Sequence, residues 1–333
     1  MENRPTIYDV AKATSFSINT VSRALNGKPD INPDTKLLIL DAAKKLRYTP
    51  NKLARGLRSN KTGVMGVIVA DVSNPFFSAV VKGMGRAAKE LGYSIILQDT
   101  SEDYANEEEA IQIMQTEQVD GVLITPVQTD DRSIGMLEES GIPFVLIARY
   151  FDGIDTDCVV ADDIQGGYLA TSHLIAAGHE RIAFINGPAC NSSAIERFQG
   201  YRKALVEHGL RVDDALVTYG ALTTEDGCSQ AREMLGDRAA ARPTALFAFS
   251  DFVALGAMKA VREAKLRIPR DIAIVGYDDI DFAVCLEVPL TTIRVPKEEI
   301  GETGVRILCK KIQGEVCHAR LKLPVELVVR ESG

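Results

Sequence analysis

No apolar run approaches the ~20 residues needed to cross a bilayer; the longest, Gly63 to Ala70, has the length of one strand. The chain opens MENRPTIYDV, without the basic-then-apolar order of a secretory leader. Its six cysteines (Cys158, Cys190, Cys228, Cys285, Cys309, Cys317) form no C-x-x-C pair and have no histidine at zinc-finger spacing. That leaves neither a metal site nor a disulfide framework, and points to reduced thiols in a cytoplasmic protein outside any membrane. The four histidines (His173, His179, His208, His318) sit apart from any plausible nucleophile. No G-x-G-x-x-G follows a strand-like run, and neither a phosphate loop nor a G-x-S-x-G elbow occurs. An enzyme would lack its usual signatures here, and no cofactor is expected.

What is present is an uneven charge. The 333 residues carry a net charge of −8 and suffice for two or three folded units. Hydrophobic content of 46% and charged content of 25% exclude a mainly disordered chain. Residues 1–60 hold 11 basic and 5 acidic groups, whereas the remainder holds 27 and 41. A small cationic head on a large anionic body can meet a polyanion at the head alone. Charge by itself does not separate this from chance asymmetry in a solvated helical region.

The head reads as short helices. Thr6 with Asp9 three residues on forms a capping-box start, and Ile7, Val10 and Ala11 continue an apolar stripe to about Ala13. After Thr14-Ser15-Phe16, Ser17 caps a second helix over Ile18–Leu25, which Asn26-Gly27 stops. Asn32, Pro33 and Asp34 start a third helix running to about Arg47, with Leu37, Leu40 and Ala43 expected to face inward. Two short helices joined by a tight turn, closed by a third, make a helix-turn-helix module. On the second helix, Val21, Ala24 and Leu25 face in, while Ile18, Asn19, Ser22 and Arg23 face out. Arginine can pair with guanine, asparagine with adenine, and isoleucine can touch a thymine methyl. An exposed amphipathic helix without a ligand would show the same face.

The T-x-x-D-V-A start, the T-V-S-R segment, L-x-Y-x-P-N and A-R-G-L together cover Thr6 to about Val69. This stretch resembles the amino-terminal signature of the lactose/galactose repressor family of bacterial regulators. The resemblance implies that Ile18, Asn19 and Arg23 read base edges, while Tyr8, Thr20 and Ser22 contact phosphates and orient the module. It also implies that residues 49–61 form a hinge that is helical only on DNA. Asn51, Lys52, Ala54 and Leu57 would then touch the minor groove, with Leu57 as the wedge that opens a base step and Leu53 as the helix–helix contact. Independently, that segment is too short to be stable alone, and Gly56 lowers its helicity further.

From Gly63 onward, apolar runs of four to eight residues alternate with amphipathic helical segments in two successive rounds. That pattern predicts an α/β body of two doubly wound parallel-sheet lobes behind the all-α head. Ligands of such sheets bind beyond the carboxyl ends of the strands. Segments there bring Asn74, Phe77, Arg149, Asn191, Ser193, Arg197, Ser250, Asp251 and Asp278 to one rim. Amides, carboxylates and arginines with aromatic rings suit a small polar ligand, although capping or internal ion pairing would also explain several of these residues.

The segments DVSNPFF, VDGVLI, GHERIAFINGP, RPTALFAFSD, LRIPRDIAIVGYDD and PLTTIRVP extend the resemblance over nearly the whole chain. They are similar to periplasmic sugar-binding proteins of type I, with two lobes, and imply a carbohydrate-like effector held by those nine residues. Two departures stand out. Ala148 replaces the Asp that often precedes Arg149, and Val295 stands where relatives often have a polar residue. The lost carboxylate suggests a more positive pocket, and hence a sugar acid or phosphosugar over a neutral sugar.

The resemblance implies a transcriptional regulator, in most cases a repressor, under allosteric control by its effector. The domains expected are 1–48 for DNA binding, 49–61 for the hinge, and 62–333 for effector binding and dimerisation. One helix-turn-helix reads few bases, so a homodimer on pseudo-palindromic double-stranded operator DNA is expected. No heptad segment follows Leu327–Val329, which argues against a tetramer. A carbohydrate-active enzyme and a sugar-binding receptor are the alternatives. The first lacks catalytic signatures and the second lacks a leader.

Overall fold

The computed structural model describes residues 5–26, 28, 30–48, 61–236 and 242–333. The chain divides into two units, residues 1–62 and 63–333. In the first unit, α1 spans Ile7–Thr14, α2 Ile18–Leu25 and α3 Pro33–Lys45. The backbone N–H and hydroxyl of Thr6 both donate to Asp9 Oδ2 at 2.7 Å, closing the capping box. Ser15 ends α1 in the left-handed region, with φ 56°. Ser17 Oγ accepts from Thr20 N at 3.1 Å, and Asn32 Oδ1 accepts from Asp34 N at 2.8 Å. Gly27, expected to stop α2, lies outside the described residues.

Val10, Val21, Ala24, Ile39 and Ala43 form the core of this unit. This corrects one expectation: Leu37 and Leu40 are 65% and 41% exposed, and α3 turns Ile39 and Ala43 inward instead. The run Leu37-Leu38-Ile39-Leu40 is apolar on every side of its turn. A three-residue and a four-residue spacing fit it equally well, so periodicity cannot choose the buried face.

The second unit has two lobes. The first sheet contains β1 (Val64–Val69), β2 (Ser94–Asp99), β3 (Gly121–Ile124), β4 (Phe144–Ile147), β5 (Cys158–Ala161) and β11 (Arg320–Leu323), ordered β11-β5-β4-β3-β1-β2. All its pairings are parallel. The second sheet contains β6 (Ile182–Ile185), β7 (Val217–Thr218), β8 (Ala245–Ala248), β9 (Ala273–Asp278), β10 (Thr291–Arg294) and β12 (Glu326–Val328), ordered β12-β10-β9-β8-β6-β7. Here only β12 pairs antiparallel, against β10. Helices α4 (Pro75–Glu90), α5 (Tyr104–Thr116) and α6 (Arg132–Ser140) belong to the first lobe. Helices α7 (Asp163–Ala176), α8 (Ser192–Glu207), α9 (Thr224–Leu235) and α10 (Asp251–Glu263) belong to the second.

The lobes are not two successive rounds of chain. After β10 the chain returns to the first lobe as α11 (Lys297–Ile312), which packs on α4 and on strands β3, β4 and β5. It adds β11 there and crosses again to add β12 to the second sheet. Three crossings, near residues 162, 295 and 324, therefore join the lobes. The sequence pattern does not reveal β5, β10, α11 or β11. Strand β11 is largely exposed, so Arg-Leu-Lys-Leu reads as polar surface.

Close helix packing fixes the second lobe. A Cβ on Gly167 would fall 2.2 Å from the Arg197 carbonyl oxygen, and one on Gly200 2.1 Å from that of Ile164. Glycine at both positions lets α7 and α8 touch backbone to backbone, which sets the height of Arg197 over the sheet.

Candidate functional site

The exposed face of α2 carries Ile18, Asn19 and Arg23, with Thr20 and Ser22 half-buried beside them and Tyr8 exposed on α1. The Thr20 and Ser17 hydroxyls lie 2.9 Å apart, and the Ser22 carbonyl accepts from Asn26 Nδ2 at 2.7 Å. Arg23 forms an ion pair with Asp30 across the following turn. Asn51, Lys52, Ala54 and Leu57 lie outside the described residues, as does Leu53.

In the second unit, a cleft with about 560 Å³ of unfilled space, partly open to solvent, lies at the carboxyl ends of strands from both sheets. Of the expected residues, Asn74, Phe77, Arg149, Ser193, Arg197, Ser250 and Asp278 line it. Asn74 also caps α4, accepting from Phe76 N at 3.0 Å, and Ser250 caps α10, accepting from Val253 N at 3.1 Å.

Two expected residues do not line the cleft. Asp251 is buried behind the wall, accepting from Ile280 N at 2.9 Å and Thr292 Oγ1 at 2.6 Å. It braces the turn after β9. Asn191 is buried before α8, and its amide nitrogen has no partner among the described residues. Six further residues line the cleft outside the expected nine: Asp71, Phe76, Glu102, Ala148, Leu222 and Phe249. The strand-end rule contains the signal for two of them, on strands that the sequence pattern does reveal. Glu102 follows β2 and Leu222 follows β7.

Both arginines are buried and matched. Arg149 Nη1 donates to Glu102 Oε2 at 2.9 Å, and Nη2 donates to Oε1 at 2.6 Å. Arg197 Nε donates to Asp163 Oδ1 at 2.8 Å and Nη1 donates to the Phe249 carbonyl at 2.5 Å. Its guanidinium lies 3.6 Å from the Tyr277 ring centroid and 4.6 Å from that of Phe249. The expectation of a positive pocket is thereby corrected. Losing a carboxylate at Ala148 leaves no free cation, because Glu102 and Asp163 supply the countercharges.

Asp278 sits in the left-handed half of backbone space, with φ 115°, at the end of β9. Burial pushes its carboxyl well above the usual range, against the opposing pull of Arg197. Lys297, the first residue of α11, donates to the carbonyls of Asp278 and Asp279. The cleft is thus tied to one of the crossings.

A second set of contacts bridges the lobes beside the cleft. Gln128 accepts from Ser192 N at 2.9 Å and donates to the Tyr150 carbonyl at 2.7 Å. Tyr150 donates through its hydroxyl to Glu196 at 2.7 Å, and Lys322 donates to the same oxygen at 2.5 Å. Helix α8 therefore turns Ser193 and Arg197 to the cleft and Ser192 and Glu196 to the opposite lobe.

Among the described residues no cluster of His, Cys, Asp or Glu could hold a metal ion, and no helix is long and apolar enough to cross a membrane. Comparison with known proteins decides the family. The profile of bacterial regulatory proteins of the lacI family matches residues 6–51, and that of periplasmic binding proteins and the sugar binding domain of the LacI family matches residues 62–331. The chain belongs to the LacI family. It is a DNA-binding transcriptional regulator of repressor type with an effector domain of the sugar-binding class, as are its relatives rather than enzymes.

Among LacI-family relatives, the chain is 38% identical to the HTH-type transcriptional regulator CelR of Thermobifida fusca, covering 99% of this chain and 98% of the relative. It is 35% identical to the ribose operon repressor of Escherichia coli K12, over 98% and 99% of the two chains. The crystal structure of the lac repressor dimer bound to operator and the anti-inducer ONPF superposes with a TM-score of 0.88, at 29% identity and 99% coverage of both chains. The type I periplasmic-binding-protein architecture of the body is thereby shown as well.

Proposed function

We propose that this LacI-family regulator acts in the cytoplasm as a homodimer on a pseudo-palindromic operator, and that a carbohydrate in the cleft changes its grip on DNA. In this reading Ile18, Asn19 and Arg23 read base edges in the major groove, while Tyr8, Thr20 and Ser22 hold phosphates. Residues 1–48 form the reading head, and 62–333 bind effector and dimerise. Residues 49–61 are the hinge, in which Asn51, Lys52, Ala54 and Leu57 meet the minor groove.

One observation carries the effector reading. Residues of both lobes line a single cleft, and α8 presents ligand-facing and lobe-bridging side chains on adjacent positions. A ligand touching Ser193 and Arg197 therefore moves the same helix that clasps the first lobe. A change in lobe geometry is a change in hinge spacing within a dimer, and couplings of about 1–3 kcal/mol are typical. The relatives support carbohydrate as the class, since CelR has been solved as a cellobiose complex.

The test is a gel-shift titration of the purified protein on DNA from its own upstream region and on shuffled DNA of the same composition. Selective retention of the upstream fragment, altered by a sugar, is expected. Equal retention of both DNAs would remove the operator reading.

A further inference from the structure

We propose that Glu102 makes the cleft selective for neutral, hydroxyl-bearing sugars over the corresponding sugar acids and phosphosugars. The proposal rests on the carbohydrate reading and adds the residue that sets charge specificity. Glu102 follows β2, at the edge of the first sheet, and Arg149 follows β4, with β1 and β3 between them. Their bidentate contact, at 2.6 and 2.9 Å, uses the planar fork through which an arginine ordinarily takes a carboxylate or phosphate. The protein's own carboxylate already fills that fork. With side-chain exposures of 5% for Arg149 and 18% for Glu102, water screens the pair poorly.

An anionic ligand must then displace Glu102 or lie beside it. Asp71 lines the same cleft, so either course brings like charges together. Arg197 offers no uncompensated charge either, because Asp163 pairs with its Nε at 2.8 Å.

What the pair retains is suited to hydroxyls. A guanidinium has five N–H donors. Arg149 uses three, two on Glu102 and one on the Pro126 carbonyl at 3.0 Å. The carboxylate keeps lone pairs beyond the two contacts it makes. A sugar hydroxyl both donates and accepts, so neighbouring hydroxyls can accept from Arg149 while donating to Glu102. A carboxylate or phosphate can only accept, and finds half of the pair repulsive.

Calorimetry on the full chain tests this with three matched pairs: cellobiose and cellobionate, ribose and ribose 5-phosphate, glucose and gluconate. In the wild type, the neutral member of the binding pair should be at least tenfold tighter. Glu102→Gln should shift that ratio at least tenfold toward the anion, and adding Arg149→Gln should return it toward the wild-type value. Should Glu102→Gln fail to fold, Glu102→Ala serves, since it too removes the carboxylate that fills the fork. A wild type that prefers the anion, or a ratio unmoved by these substitutions, overturns the proposal while the carbohydrate reading stands. Absence of binding by all six compounds overturns the carbohydrate reading and the proposal with it.

Discussion

Arg23 in the head and Arg197 in the body are both paired with an aspartate, in opposite surroundings. The side chains of Arg23 and Asp30 are 45% and 50% exposed, whereas those of Arg197 and Asp163 are 7% and 4% exposed. An exposed pair contributes about 0–1 kcal/mol and is readily exchanged for another anion. A buried pair is a poor source of net stability, yet breaking it strands a charge at a cost of about 3–5 kcal/mol. The head thus keeps its cation available to a polyanion, while the body holds its cations in place. The same side chain serves recognition in one region and architecture in the other because the dielectric differs.

The largest effect should come from breaking the buried pair. Arg197→Met is expected to lower unfolding free energy in urea by about 3–5 kcal/mol, and Arg197→Met with Asp163→Leu to recover most of that loss. Equal losses in the single and double variants would mean that packing against Tyr277, and not charge, dominates. On the exposed side, Arg23→Ala should cost about 1–3 kcal/mol of discrimination between operator and shuffled DNA, with the fold intact. Lys52→Ala should instead weaken all DNAs alike and reduce the salt slope by about one. Similar losses on every sequence for both variants would erase the distinction between reading and positioning.

A smaller effect concerns pH. Burial raises the Asp278 carboxyl, so the folded protein holds a proton that the unfolded chain has already released above the ordinary carboxylate range. Stability should therefore fall as pH rises through that window, and Asp278→Asn should flatten the fall in thermal melts. A wild-type profile that rises there would contradict the assignment. The smallest effect is expected for Asp30→Asn, within about 1 kcal/mol of wild type in stability. A larger loss would show that the exposed pair holds the turn after α2.

Much of the head was legible because its signals are local. Thr6 with Asp9, Ser17 and Asn32 each announce a helix start from side chains within three residues. The face of α3 was not, since Leu37 to Leu40 offer apolar groups in every direction and only the tertiary fit selects Ile39. In the body, strand ends revealed seven of the lining residues, but the interleaving of lobes stayed hidden. The return of the chain to the first lobe after Thr291–Arg294 pairs β11 with β5, some 160 positions earlier, and no local pattern records such a pairing. The strand-end rule reaches Glu102 as a lining residue, but not its role. Its importance lies in a contact with Arg149, 47 positions away, that no local pattern records. Asp251 shows the converse: a carboxylate at a strand end can serve the fold alone.

The central claim is that a sugar seated between the lobes alters the hold of α2 on its operator. Fluorescence anisotropy of the labelled upstream fragment, with the full-length protein and increasing amounts of a sugar shown by calorimetry to bind, measures this directly. The account predicts a 5–150-fold change in operator affinity, with the sugar's own affinity shifted by the same factor when DNA is present. Operator affinity unchanged at saturating sugar would contradict it.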